Sequence, residues 1–573
     1  MKRTPYVVTI AILIIVACAF IYLHLSKANN PQPVAKSESP IDLRPLIISK
    51  LQQLVKEGSE GLYTLSIEKL EPDVLLSKID VFNATFVPDT AALQRLDKEL
   101  KAPDDVFKLS FSSLHITGLS VLDFLHKDKI ELDTVFIAAP VIEVFHKQRP
   151  YNEAKRERDS SSTLYQKLTQ QFRSISINAI VVKEGTFINK NLSQKNKTTK
   201  FSQVNILASK LLIDSSTQYD KDRFLFAREV ELSCKDYVAR TPDSLYFFKA
   251  GSISVLAAKH TITAKQVGLE PRGNKQEFEK KLSSRKDMFT VKLAEVICNN
   301  IDWWALVNGE SFYSEEAHIY NGVISDYLNR ALPSGSNTRK DNFPQQLLMQ
   351  IPLKLNIQKL YVRKLNISYE EFSPQSMQSG TVYFDDVNAT LNNITNIPAS
   401  IKANKLFACS GSGLFMHQIP VTAGFQFNLA KSPTGDFSAD IHIAAMDKTI
   451  VNPVAEPLGM FTLKSGTIQQ ATAHIQGDNF KAKANIVMLY NNLHLTPLKN
   501  PDSTGNLKKK TLTGFFANTF FIKHANPSPG KSPRNPEVII QRDGKGTFFN
   551  FLWRALLTAI LKTIGIPRKF ANQ

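Results

Sequence analysis

Eleven histidines, four cysteines and four adjacent acidic pairs are the groups in this 573-residue chain that could carry catalysis or hold a metal. A metal needs several ligands converging, and a nucleophile needs a base within hydrogen-bond reach. The spacing supplies neither. The histidines are scattered, with His115, His126 and His146 in one stretch and no HExxH anywhere. Cys18, Cys234, Cys298 and Cys409 lie far apart and give neither a metal spacing nor a disulfide framework. Asp104-Asp105, Glu315-Glu316, Glu370-Glu371 and Asp385-Asp386 would point to opposite faces of a strand, so they make poor acid–base dyads. Solvated turns suit them better. No P-loop, GxGxxG after a strand, GxSxG or CxxC is present. The expectation is a non-enzyme, with no catalytic residue, cofactor or metal.

Composition points instead to a surface. The formal net charge is +18, from 70 basic and 52 acidic residues, which suits nucleic acid or an anionic membrane. After Asp502 there are twelve basic residues and only two acidic ones, Glu537 and Asp543. At the other end, Lys2-Arg3 precedes the apolar run Tyr6–Leu25, centred near Ile14. A run of about 20 apolar residues is the length of a spanning helix. Basic residues on its short side favour an N-in, single-pass anchor in the inner membrane, with the body in the periplasm. That placement excludes nucleic acid and leaves anionic headgroups as the partner for Lys508–Lys510. Two alternatives remain open. Ala17-Cys18-Ala19 resembles a cleavage site, and Ile15-Val16-Ala17-Cys18 resembles a lipobox with Cys18 lipidated. The apolar run continues past both cuts, which favours an uncleaved anchor over residues 1–28.

Residues 29–62 read as a proline-rich linker, Asn29–Pro40, followed by an amphipathic helix. Leu43, Leu46, Ile47, Leu51, Leu54 and Val55 recur at helical spacing, and Gly58 and Gly61 stop it. From Tyr63 the apolar period falls to two, and short runs rich in Val, Ile, Thr and Phe continue for hundreds of residues. The fold expected is mainly β and largely antiparallel. Short helices are expected at Asp89–Leu100 and Leu164–Phe172, with loops at Pro150–Ser162, Ser334–Asn342 and Asn500–Lys509. Trp303-Trp304, read on a strand, places one ring in the core and the other at a rim.

One stretch is told twice. Phe107–Phe145 and Phe289–Tyr327 share an apolar register at an offset of 182, with Pro140 opposite Gly322. Ile177, Ile180, Val182 and Phe187 meet Ile357, Leu360, Val362 and Ile367 at an offset of 180, and Phe201 and Asn205 meet Phe384 and Asn388 at 183. Small drifts of offset are what loop insertions produce. The domains expected are a first β segment over 63–104, a β module over 105–285, its partial duplicate over 286–404, a β region over 405–500 and a basic segment over 501–545. A helix over 546–573 closes the chain. Within it Asn550, Arg554, Thr558 and Lys562 form a narrow polar stripe on an otherwise apolar helix carrying Phe548, Phe551, Trp553, Leu556 and Ile560. It suits either a membrane surface or the end of a sheet.

The block Val451–Leu498 contains Asn452-Pro453, Glu456-Pro457-Leu458, a Ser465-Gly466 turn, a Gly477-Asp478 turn and Tyr490. With the anchor, the β-rich body and the Phe- and Trp-rich tail Gly546–Gly565, it resembles the AsmA-like family of bacterial envelope proteins, relatives of TamB and YhdP, as found in Bacteroidetes-type members. Ala484-Asn485, where a glycine is usual, and Asn491-Asn492, where an acidic residue is common, depart from the family pattern. The resemblance implies an elongated, curved sheet whose concave groove is apolar. It also implies a role in shielding or transferring phospholipid or another acyl-chain lipid, in support of outer-membrane assembly, with an envelope protein as a further partner. The candidate lining is then Leu109, Phe111, Ile137 and Ile142 in the first module and Val291, Leu293, Ile319 and Ile324 in the second. The alternative is an anchored structural or protein-interaction module of closed β domains with no lipid ligand, since the same alternation packs a sandwich core.

Overall fold

The protein is described by a computed structural model, which covers residues 44–73, 76–118, 129–152, 174–193, 197–217, 220, 222–241, 243–308, 311–333, 342–501, 507–509, 523–542 and 547–566. The anchor residues Tyr6, Ile14 and Leu25, Cys18 and the expected helix at Leu164–Phe172 lie outside the described residues. Among the described residues no helix is long and apolar enough to cross a membrane.

The chain divides into two compact units. The first takes residues up to Arg240 with Phe248–Ala264 and Asp302–Glu310, and the second takes Thr241–Phe247, Lys265–Ile301 and Ser311 onward. Each is mainly β, with a mixed, mostly antiparallel sheet. In the first unit α1 (Arg44–Gly58) precedes β1 (Tyr63–Asp73), β2 (Lys78–Pro88), α2 (Thr90–Lys98), β3 (Asp105–Thr117), β4 (Lys129–Ala138), β5 (Val141–His146), β6 (Ser174–Asn191), β7 (Lys197–Ile213) and β8 (Glu229–Arg240). The side chain of Asp89 caps α2 by accepting from Ala92 N at 2.8 Å, satisfying one of the helix's free amides. Strands β9 (Tyr246–Leu256) and β10 (Thr261–Pro271) are divided between the units.

The second unit continues with α3 (Lys275–Glu279) and β11 (Met288–Asn299). The helix α4 (Trp303–Asn308) belongs to the first unit, so Trp303-Trp304 is helical rather than extended. Trp303 is buried, its Nε1 donating to Ala257 O at 2.9 Å. After β12 (Ser311–Asn329), α5 (Pro344–Met349) and β13 (Lys354–Ser373) comes β14 (Gln378–Thr395), followed by α6 (Pro398–Ala403). A meander follows of β15 (Leu406–Phe415), β16 (Ile419–Asn428), β17 (Phe437–Ile443), β18 (Met446–Asp447), α7 (Lys448–Gly459), β19 (Phe461–Gly477) and β20 (Lys481–Pro501). Strands β21 (Leu507–Lys509) and β22 (Glu537–Gln541) both pair with β20, and α8 (Phe548–Ile564) closes the unit. Leu507–Lys509 is thus strand where a loop was expected. Glu315-Glu316, Glu370-Glu371 and Asp385-Asp386 also sit within strands rather than turns. Glu370 binds Lys275 at 2.6 Å, while the buried Glu371 binds Arg330 at 3.1 Å, so the two carboxylates do part company.

The pairing register repeats. Leu114 faces Ile137 across β3 and β4, and Val296 faces Ile319 across β11 and β12. Leu109 faces Ile142, and Val291 faces Ile324. The parallel steps agree as well, with Ile137 beside Val182 and Ile319 beside Val362. The equivalence starts before residue 105. Tyr63 Oη accepts from Phe107 N at 3.2 Å, and Tyr246 Oη accepts from Phe289 N at 3.3 Å.

Interruptions of the strands repeat too. Ala139 and Asn321 share a positive φ (46° and 50°), as do Glu184 and Lys364 (both 55°) and Gln203 and Asp386 (48° and 47°). In each unit an asparagine bridges the irregularity. Asn205 Oδ1 accepts from Glu184 N at 3.1 Å while its Nδ2 donates to Gln203 O at 3.1 Å. Asn388 does the same between Lys364 N, at 3.3 Å, and Asp386 O, at 2.8 Å. An extra residue in one strand moves everything beyond it to the other face. The odd step from Val182 to Phe187 therefore keeps both on one side despite breaking the period of two. At Gly322 a Cβ would lie 2.7 Å from Leu293 Cδ2 and 2.8 Å from Lys292 O, so only glycine permits this approach.

Candidate functional site

One face of each sheet is apolar across many strands. In the first unit Leu70, Val81, Leu114, Ile137, Val182 and Ile206 are successive partners. In the second, Leu360, Leu391, Cys409, Phe425, Ala439 and Ile475 are successive partners. The sequence-derived lining residues fall on these faces, the first four in the first unit and Val291, Leu293, Ile319 and Ile324 in the second.

Equivalent positions are filled differently. Leu114, Ile116, Ile175, Ile177 and Leu211 are all at most 3% exposed. Their counterparts Val296, Cys298, Leu355, Ile357 and Ile394 are half-buried. Leu109 is buried whereas Val291 is half-buried, and Phe111, Ile137 and Ile142 are half-buried like Leu293, Ile319 and Ile324. Near Leu109 and Phe111 the first unit has a narrow cleft of about 310 Å3 counting its open mouth, walled also by Leu65, Ile67, Val81 and Phe86.

In the second unit α8 covers one end of the apolar face. Thr547 caps it and Gly565, with φ 90°, terminates it. Phe548, Phe551, Ala555 and Ala559 point into the sheet, and the Phe548 ring lies 5.0 Å from Phe343 and 4.9 Å from Phe437. Beneath it Ala439 and Ile475 are fully buried, while Phe425, Leu391 and Leu360 further along the row are half-buried. The polar stripe is exposed only at Lys562. Thr558 is buried and donates to Arg554 O at 2.7 Å, Arg554 is half-buried, and Lys562 Nζ donates to Glu537 O at 2.8 Å. The outward side carries Phe549 and Trp553, 64% and 45% exposed, while Leu556 and Ile560, in line with them, are half-buried against the core cluster.

The motif residues of Val451–Leu498 serve packing and turns. Asn452 exchanges two hydrogen bonds with the backbone of Leu463, at 2.8 and 3.1 Å. Pro453 and Pro457 lie inside α7. Ser465-Gly466 is not a turn between strands but an irregularity within β19, where Gly466 has φ 122°. Gly477-Asp478 is the β19–β20 turn, with Asp478 Oδ1 accepting from Phe480 N at 2.7 Å and Lys481 N at 2.9 Å.

The opposite, wet face holds one arrangement that sequence reading missed. Ser113 Oγ lies 3.1 Å from His115 Nε2, and His115 Nδ1 lies 2.6 Å from Asp80 Oδ1. The order is that of a nucleophile, base and orienter, but the three sit side by side on two strands of an open sheet surface. Burial pushes the Asp80 carboxyl up, and hydrogen bonds from Lys78 and His115 outweigh it, holding the group below its usual range. Asp80 is thereby committed to Lys78, 2.7 Å away, as much as to the imidazole. Asp105, Asp385 and Asp440 likewise hold His146, His417 and His474 at 2.6 to 2.7 Å, tying strand to strand or, at His417, strand to turn, so such pairs are a recurrent structural tie. Burial pushes the Cys298 thiol up to about 11, which makes it a poor nucleophile. Among the described residues no cluster could hold a metal ion.

No family model matches the chain, and no curated protein matches it. Among solved structures, the crystal structure of Sex pheromone staph-cAM373 precursor is similar at 7% identity, over 62% of this chain and 96% of its own, with a TM-score of 0.11. A score that low carries no argument.

Proposed function

We propose that this chain is a non-enzymatic, membrane-anchored envelope protein of the AsmA-like kind. Its apolar sheet face shelters the acyl chains of phospholipid as an open groove, in support of outer-membrane assembly. The observation that carries the reading is the unequal filling of two faces with the same register. The second unit leaves half-open Val296, Cys298, Leu355, Ile357 and Ile394, whose counterparts the first unit closes, while Val135 and Ala317 are buried in both. An acyl chain laid on such a face gains about 0.8 kcal/mol per methylene buried, before the cost of ordering it. The run Tyr6–Leu25 would supply the inner-membrane anchor and place the body in the periplasm.

The filled face of the first unit favours a second reading, an anchored structural or interaction module with closed β cores. Lipid extraction and mass spectrometry of the purified full-length chain separate the two. The expected result is co-purified phospholipid that Val291→Asp with Ile324→Asp removes. An empty wild-type protein, or lipid content unchanged by that pair, leaves the second reading.

A further inference from the structure

We infer that α8 is a two-faced helix whose outward aromatics, Phe549 and Trp553, flanked by the half-buried Leu556 and Ile560, dock the second unit onto an anionic bilayer surface. Positions 549, 553, 556 and 560 recur at intervals of four, three and four, so they form one line along the helix. The opposite line, Phe548, Phe551, Ala555 and Ala559, is spent on the sheet. A helix at the edge of a soluble core normally turns its polar residues to water. Here Thr558 is buried, the exposed Lys562 is tied to Glu537 O, and a phenylalanine and a tryptophan stand exposed beside them. Aromatic side chains of this kind favour the headgroup boundary, where an apolar body meets a wet edge.

Charge selects the kind of bilayer. From Lys523 to the end of the chain there are nine basic residues and two acidic ones. Lys523, exposed, donates its backbone N–H to Ile564 O at the end of α8, and Arg568-Lys569 follow in sequence. A basic segment next to an interfacial helix is attracted to anionic lipid, each lysine or arginine near the surface adding to the pull. Docking through the stripe is rigid, because Arg534 and the ring cluster hold the buried side of the helix in place.

This inference rests on the lipid-shelter reading only for its context, and its test is separate. Full-length protein is held in phosphatidylcholine nanodiscs, which occupy the N-terminal apolar segment, and mixed with vesicles of phosphatidylcholine with or without phosphatidylglycerol. The expected result is co-flotation with the anionic vesicles, weakened by added salt and reduced about tenfold or more by Phe549→Ser with Trp553→Ser. Unchanged hydrogen exchange at β20 in that variant certifies the fold. Equal binding to both vesicles, an unaffected variant, or self-association that buries the stripe overturns the proposal. Val291→Asp with Ile324→Asp should empty the sheet of lipid yet leave flotation intact, so failure of one reading is distinguishable from failure of the other.

Discussion

Arg534 donates from Nη2 to the hydroxyl of Tyr490 at 2.8 Å, while its Nε donates to Thr563 O at 3.0 Å. One guanidinium thus ties the middle of β20 to the last turn of α8. The Tyr490 hydroxyl in turn donates to Lys523 O at 2.8 Å. Tyr490 is fully buried and Arg534 half-buried, so the tie is largely shielded from water. A cation at the end of a helix also complements its dipole.

Tyr490→Phe should cost about 1–3 kcal/mol, because it strands a guanidinium N–H and a carbonyl. Arg534→Met should cost a similar amount and loosen the end of α8 first. Urea unfolding gives the magnitude, and hydrogen exchange at Thr563 and Ile564 gives the location. Equal protection in mutant and wild type would refute the tie.

The two bridging asparagines should behave alike. Asn205→Ala and Asn388→Ala each remove the same pair of hydrogen bonds from the same irregularity, at about 1 kcal/mol apiece. Exchange should quicken around Glu184 and Gln203 in one variant and around Lys364 and Asp386 in the other. The double variant should be additive, since the sites share no partner.

Equivalent apolar positions should respond unequally to charge. Leu114→Asp buries a carboxylate and should unfold the first unit. Val296→Asp, at the same register position in a half-open face, should fold and lose bound lipid. Circular dichroism and lipid analysis of the two purified variants check this pair, and equal stability losses would contradict the difference in filling.

Stability should fall at both extremes of pH. Hydrogen bonds from Tyr151, Arg149 and Lys147 outweigh burial and hold the Asp97 carboxyl at about 2. Its contribution is therefore present above its usual value near 4 and lost as pH falls through about 2. Burial pushes the Tyr63 phenol up to about 12, against the hydrogen bond from Phe107. Its contribution is present below about pH 10 and lost as pH rises through about 12. Asp97→Asn should flatten the acid limb and Tyr63→Phe the alkaline one in chemical denaturation run across pH.

Much of the fold was legible. The period of two announced strands, Asp89 announced α2, and the paired apolar registers announced the repeated stretches. What escaped was set by the backbone. The true start of the repeat, at Tyr63 and Tyr246, depends on two hydroxyls accepting from distant amides, which leaves no periodic trace. Ser465-Gly466 looked like a turn because glycine marks turns and strand irregularities alike. Trp303-Trp304 and the helix α7 were hidden by residues usually found in strands or breaks. Sequence left open whether α8 meets a membrane or the sheet, because the ties of Lys562 to β22 and of Thr558 to the helix backbone show only in the tertiary arrangement.

The unequal filling of two matched faces has a consequence for how the chain can change over time. A filled face rejects most replacements, since added or lost volume strains or hollows it. A half-open one absorbs them. Side chains at Val296, Cys298, Leu355 and Ile357 are therefore freer to change shape, while Leu114, Ile116, Ile175 and Ile177 keep the architecture intact. Within a single polypeptide, the closed positions fix the frame while their half-open equivalents tolerate change.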